Sequence, residues 1–242
     1  MFRKIALLMA STIIVATPVV AQTAGAGSGD PAFDAKFRAV LMAHPEWVAE
    51  TMQNMQNRQR QAQTAELSTK AESIRPLIRQ NPAIAPVLGV KTAKYTVAEF
   101  LDYNCHFCKQ AHSDVDALVK KRKDVRFVIM MRPILGDTSE VLARFALAAD
   151  MQGKFPQVHD ALYAIEGRID ATDDGLRKIA TQTGLDFAKA KTDMDGPQVR
   201  KSLDAQVKVA QDLGVNGTPF FVTPTAAYPG AVPMNVLEES IR

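Results

Sequence analysis

Residues 104–112, NCHFCKQAH, hold both cysteines of the chain. Cys105 and Cys108 flank His106 and Phe107. A pair at this spacing can carry haem, clip a metal, staple the fold or exchange with other disulfides. A c-type haem site places His directly after the second cysteine, and residue 109 is Lys. A structural zinc ion needs four ligands, usually from two such pairs. There is one pair here, and His44, His112 and His159 show no ligand spacing to it. A cross-link stabilises mainly by closing a loop in the unfolded chain, and this loop is tiny. Two soft thiolates can also hold Cu(I). Two chemistries are left: redox exchange at Cys105–Cys108 with no metal or other cofactor, and Cu(I) binding at the same two sulfurs.

The attacking species in disulfide exchange is a thiolate. At the start of a helix, unpaired N–H groups and the positive dipole end stabilise an anion. Cys105 falls at such a start and Cys108 one turn further in. Cys105 is therefore expected as the exposed, low-pKa nucleophile. Cys108 is expected as the more buried resolving thiol, which releases a mixed disulfide by intramolecular attack. His106, if protonated or donating a hydrogen bond, stabilises the Cys105 thiolate further. Phe107 presents an apolar surface to an unfolded client.

The elements around the pair follow from periodicity. YTVAEFLDY (95–103) predicts a buried central strand. After CHFC, the positions Cys108, Ala111, Val115, Leu118 and Val119 share one helical face. VRFVIMM (125–131) predicts a second buried strand. The cysteines thus sit where a strand turns into a helix, inside a β-α-β pattern. Residues 138–214 read as helical, with Asp137 and Glu140 as an N-terminal cap and Gly153 and Gly184 at helix ends. NGTPFFV (216–222) contains a short strand, and after a Pro-rich turn a last helix runs from about Pro233 to Arg242.

Upstream, Phe33, Phe37, Val40 and Leu41 form one apolar stripe, and Trp47, Val48, Met52 and Met55 continue it after His44-Pro45. Leu67, Ala71, Ile74 and Ile78 form a further stripe, with an interruption expected near Pro76. QNRQRQAQTAE between them is polar almost all round, so a helix there is poorly supported by its own contacts. The stripe from Phe33 to Met55 is expected to pack on another copy of the chain. Pro82, Pro86 and Gly89 break the helical signal before the first strand.

The chain opens with two basic residues, Arg3 and Lys4, then the apolar run IALLMASTIIVATPVV, then Val19-Val20-Ala21 before Gln22. This is the pattern of a secretory signal peptide at residues 1–21. QTAGAGSGD (22–30) reads as a flexible tether. The formal charge is +3, from 29 basic and 26 acidic residues. Removing Arg3 and Lys4 leaves 27 against 26, about +1, so much of the apparent basicity belongs to the leader. No dense basic run is interleaved with aromatics, which argues against nucleic-acid binding. With 47% hydrophobic and 23% charged residues, the remainder can bury a core and is expected to be soluble.

The run EFLDYNCHFCK, the later RPILG and NGTPFFV together resemble the DsbA-like branch of the thioredoxin superfamily. The segment HPEWVAETMQ is similar to the copper-sensitivity suppressor ScsC group within it. The resemblance covers residues 31 to the end. It implies an α/β thioredoxin fold at 81–242 with an inserted helical domain at about 138–214, preceded by an N-terminal helical extension at 31–80. Cys105 and Cys108 match the redox pair. Thr218-Pro219 matches the loop whose proline is cis and lies beside the disulfide, exposing the preceding backbone to a substrate peptide. Glu99 matches a buried acid that helps move the proton as Cys108 is deprotonated. The helical insertion forms one wall of the substrate groove. Two departures matter. His106-Phe107 is not the Pro-His of the strong oxidant, so oxidase strength does not transfer. Thr218 in place of Val is more like the isomerase and reductase relatives.

The expected function is therefore that of a periplasmic thiol-disulfide oxidoreductase, of isomerase or reductase type. Its partners would be exported cysteine-containing proteins and a membrane thiol-redox protein. It would be a homo-oligomer joined through residues 31–60. Copper tolerance through Cu(I) bound at Cys105 and Cys108 is the alternative, and a chaperone using the groove without redox turnover is a third class.

Overall fold

A computed structural model describes residues 30–80 and 84–241. The expected leader at 1–21, nearly all of the expected tether, the expected break at Pro82 and the terminal Arg242 lie outside the described residues. The chain divides into two compact units between Met55 and Gln56.

In the first unit, helix α1 (Pro31–Ala43) starts at Asp30, whose carboxylate accepts the Ala32 N–H at 2.9 Å. His44 separates it from α2 (Pro45–Gln80) and stacks on Trp47 with ring centroids 4.1 Å apart. Phe33, Phe37, Val40, Trp47, Val48, Met52 and Met55 are all exposed.

Helix α2 runs through Pro76 without the interruption expected there. An internal proline costs about 3 kcal/mol. Ile74 and Ile78 are buried around it, and burying such side chains stabilises by roughly 1.5–3 kcal/mol each, so packing wins. Ala71, Ile74 and Ile78 share a core with the sheet. The end of the predicted 31–80 region therefore belongs with the second unit.

That unit is built on a five-stranded sheet in the order β1-β3-β2-β4-β5 among the described residues. Its strands are β1 (Val87–Gly89), β2 (Tyr95–Leu101), β3 (Val125–Met131), β4 (Phe220–Val222) and β5 (Ala227–Pro229). β2 and β3 run parallel, from Tyr95 opposite Val125 to Leu101 opposite Met131. β1 pairs antiparallel with β3, β4 with β2, and β5 with β4. The predicted central strand stops at Leu101, two residues early. Asp102 turns the chain by accepting the Asn104 N–H on its side chain at 2.9 Å. Edge strands β1 and β5 lie where the sequence reading placed only breakers and a Pro-rich turn.

Strand alternation sorts the core into two layers. Val97, Leu101, Phe127, Ile129 and Met131 face one side, with α3 (His106–Lys121), α4 (Asp137–Met151) and α5 (Phe155–Ala164). Ala98, Phe100, Val128 and Met130 face the other, where α2 and α8 (Pro197–Leu213) contribute Ile74, Val209 and Leu213. The connection from β2 through α3 to the parallel β3 is the predicted β-α-β unit. The insertion adds α4, α5, α6 (Asp173–Thr183), α7 (Phe187–Met194) and α8, and α9 (Met234–Glu239) closes the chain. The expected Asp137–Glu140 cap of α4 does not form. Gly136, at φ 109°, takes the cap position without a side-chain bond, and Asp137 lies inside the first turn. Gln206 is fully buried. It joins α8 to the sheet by accepting the Met131 N–H at 2.6 Å and donating to the Ile84 carbonyl at 2.9 Å.

Candidate active site

Cys105 is the N-cap residue of α3, with extended backbone and no side-chain cap bond. The thiol therefore stands where the first-turn N–H groups lack intrahelical partners. Asp102 holds the turn that puts it there. The Asp102 carbonyl accepts the Cys105 N–H at 3.0 Å, and its carboxylate accepts the Ile134 and Leu135 N–H groups at 2.8 and 3.0 Å. Asn104 ties the same turn to the start of α4, donating to Thr138 at 3.0 Å and Ser139 at 2.9 Å. Asp102 and Asn104 were missed at the sequence level, although an Asp-x-Asn run after a strand is a turn signal.

Both thiols are free. Cys108 is fully buried, and Cys105 is 7% exposed, less open than its expected role suggested. The reason is the loop from the other end of the chain: Cys105 Sγ donates to the Thr218 carbonyl at 3.1 Å. The Thr218–Pro219 peptide bond is cis. The resemblance implied this neighbour, and the fold brings it to the sulfur.

The Cys105 thiol is held down at about 5. The largest cause is the hydrogen bond from the Cys108 thiol; burial opposes it, and the Thr218 side chain and the backbone N–H groups of Cys108 and Phe107 add to it. Burial pushes the Cys108 thiol far up, and its bond to Cys105 pushes it further. The two sulfurs are thus split into a thiolate nucleophile that accepts hydrogen bonds and a proton-holding partner, which is the division of labour that exchange needs.

His106 and Phe107 are exposed, with their rings edge-on at 5.7 Å. His106 is not among the groups that lower the Cys105 thiol; backbone and neighbouring side chains supply that stabilisation instead. Phe107, 59% exposed, offers the expected apolar surface.

Glu99 pairs across the sheet with Ile129 and Phe221, shares its face with Val97 and Leu101 and alternates with Ala98 and Phe100. It therefore faces the layer that holds Cys105 and Cys108. It is 2% exposed, and burial pushes its carboxyl up to about 8.

Beside Thr218 lies a cavity of about 440 Å³. Leu67, Glu66 and Lys70 of α2 form one wall, and Thr218, Phe220 and Gly230 form the other. Helix α2 thus walls a cavity next to the Thr218 loop. Among the described residues no group of three or more His, Cys, Asp or Glu side chains is placed to hold a metal ion. No helix among them is long and apolar enough to cross a membrane.

Comparison with known proteins gives the same architecture. A family model described as DSBA-like thioredoxin domain matches residues 96–242. A thioredoxin-like oxidoreductase from Silicibacter pomeroyi is 40% identical, covers 69% of this chain and 95% of its own, and superposes with a TM-score of 0.64. A linker-deleted ScsC from Proteus mirabilis is 23% identical, covers 91% of this chain and 96% of its own, and superposes at 0.65, a likeness of fold. Among curated proteins, the Na(+)/H(+) antiporter NhaA 1 of Salinispora arenicola is 27% identical over 157 residues, 64% of this chain and 24% of that protein. The chain spans less than a quarter of the length of the curated relatives it matches.

Proposed function

The chain belongs to the DSBA-like thioredoxin-domain family, and on that footing we propose that it is an exported protein thiol-disulfide oxidoreductase working through Cys105. The observation that carries the reading is the single arrangement of Cys105, Cys108 and the Thr218 carbonyl. The Cys105 thiolate attacks one sulfur of a client disulfide. A Cys105–client bond forms, and the other client sulfur leaves with the electron pair. Cys108 then loses its proton and attacks Cys105 Sγ. The intramolecular disulfide forms, and the second client sulfur leaves as a thiolate. The reverse sequence oxidises a client dithiol. No cofactor beyond the pair is needed.

Glu99 sits on the Cys108 side of the sheet and is suited to take part in that proton transfer. The client main chain lies beside Thr218-Pro219, with Phe107 against its apolar side chains. Thr218 before the proline favours isomerase or reductase work on exported cysteine-containing proteins, with a membrane thiol-redox protein resetting the pair. The exposed stripe from Phe33 to Met55 is the contact through which copies of the chain associate, and the leader-like residues 1–21 direct it to the periplasm.

The decisive experiment traps the intermediate. Cys108→Ser should accumulate a mixed disulfide between Cys105 and a disulfide-bonded peptide, and Cys105→Ser should not. A wild-type protein that neither oxidises a reduced peptide, reduces a disulfide nor refolds a scrambled multi-disulfide substrate would sink the reading. The last assay separates isomerase from simple exchange. Solution mass with and without residues 31–60 tests association: a monomeric mass for the intact chain removes it.

A further inference from the structure

The reaction above releases a proton from Cys108, which is fully buried, and something must conduct that proton to water. A cluster of titratable rings lies under the pair and has no part in the mechanism so far. Tyr103, two positions before Cys105, bonds through its hydroxyl to His159 Nδ1 at 3.0 Å. Tyr163 lies against Tyr103, His159 and His112, with ring centroids 5.1, 4.9 and 4.7 Å away. His112 is one helical turn beyond Cys108 on α3, so the two side chains share a face. His112 also meets His159 at 4.9 Å, and its Nε2 lies 3.3 Å from the Asp160 carboxylate.

Exposure rises along this series. Tyr103, His159 and Tyr163 are 2%, 1% and 5% exposed, the His112 side chain is 17% exposed, and that of Asp160 is 61% exposed. The Tyr163 hydroxyl and His112 Nδ1 are buried and make no hydrogen bond. A buried polar atom without a partner is destabilising by about 1–3 kcal/mol, and both atoms here keep their capacity to take or give a proton.

We propose that Tyr103, Tyr163, His159 and His112 form the exit path for the Cys108 proton, opening to solvent at Asp160. This rests on the thiol-disulfide reading. As Cys108 attacks Cys105 Sγ, its proton passes into the cluster. His112 accepts at Nδ1 and releases the proton held at Nε2 toward Asp160 and water, and a flip of the ring resets it. The client leaves as a thiolate, so one proton goes out for each disulfide closed. Both histidines suit a carrier that is neutral at rest. Burial lowers His159 and His112, and for His112 the Asp160 and Asp116 carboxylates oppose that effect while Lys120 adds to it. The remaining charged or titratable neighbours are Glu99, Cys108 and Cys105, which Tyr163 faces. Lys109 is held away by its bond to the Ile165 carbonyl.

The test is single-turnover closure of a preformed mixed disulfide, followed across pH in wild type, His112→Gln and Asp160→Asn. At about pH 6, His112→Gln should close about tenfold or more slowly, since a positioned proton carrier typically contributes at least that much. The gap should shrink as pH rises and hydroxide takes over. Added imidazole should restore the variant rate, and the Cys105 thiolate titration should not move. Asp160→Asn, at an exposed position, should slow closure less, with the same pH shape. Wild-type rates in His112→Gln at every pH would overturn the proposal. So would a slowing that is equal at all pH values and unrescued by imidazole, which marks a packing role. Failure of the wild type to form any mixed disulfide would instead overturn the function on which the proposal stands.

Discussion

Cys105 Sγ lies 3.1 Å from the carbonyl oxygen of Thr218, a residue 113 positions later in the chain. That contact joins the start of α3 to the loop entering β4. It makes a single site from two segments that have no local reason to meet, and it leaves Cys108 beneath as the chief donor to the Cys105 sulfur.

Removing that donor should therefore be visible directly. In Cys108→Ala the Cys105 titration midpoint should rise from about 5 by roughly one unit or more, because a hydrogen bond to a charged group is worth about 1.5–3 kcal/mol. Thiolate absorbance against pH reads the midpoint. Thr218→Val should move it in the same direction by less. An unmoved midpoint in Cys108→Ala would assign the low value to the helix terminus and Thr218 instead.

The same depressed thiol links redox state to pH. The folded Cys105 value of about 5 is below the ordinary 9.0. An acid depressed on folding adds stability that is fully present above its unfolded value and is lost as pH falls through its folded value. The reduced protein should thus gain stability relative to the oxidised one as pH rises from about 5 to 9, with no further change below 5. Thermal unfolding of both forms across this range checks it; a pH-independent difference in Tm would contradict it.

Glu99 should act in the opposite sense. Its folded value of about 8 stands above the ordinary 4.5, so the folded state keeps a proton that the unfolded chain has lost. Stability falls as pH rises through that window, by up to about 1.4 kcal/mol per pH unit. Glu99→Gln lacks the term. Relative to wild type it should gain stability between about 4.5 and 8 and then level off. Denaturant midpoints at several pH values measure this, and a variant that loses ground with rising pH refutes the buried-acid assignment.

Gln206→Leu should destabilise by about 1–3 kcal/mol, since it leaves the Met131 N–H unpaired in the interior, while the Ile84 carbonyl keeps its bond from the Ser202 hydroxyl. A urea titration measures the loss. A change under 1 kcal/mol, by the same scale, would mean that the bridge between α8 and the sheet is dispensable.

Part of this architecture is legible along the chain. Strand β3 spans the seven residues of VRFVIMM, as its unbroken apolar run predicts. Helix α3 begins directly after Cys105, where the apolar period changes from two to three or four. Glycine at the end of α6 is equally direct: Gly184 takes the left-handed conformation that favours glycine. Strands β1 and β5 were not legible. Each has three residues and a proline or glycine within or beside it, so pairing with a neighbouring strand, not pattern, makes it a strand. The roles of Tyr103, His112, His159 and Tyr163 were equally hidden, because they come from the turn after β2, from α3 and from α5.

What the sequence by itself determined is local: two thiols one helical turn apart, a strand before them, a helix beginning at the first, and the alternation of elements that follows. These are properties of neighbouring residues, set by periodicity and by the unpaired N–H groups at a helix start. What only the tertiary structure decided is which distant groups surround the sulfurs. Packing set the cover that Thr218 places on Cys105, the burial that raises Glu99, the rings beneath Cys108 and the continuity of α2 through Pro76. Each depends on apolar faces closing over the sheet from both sides, a sum of many weak contacts that no single stretch of the chain contains.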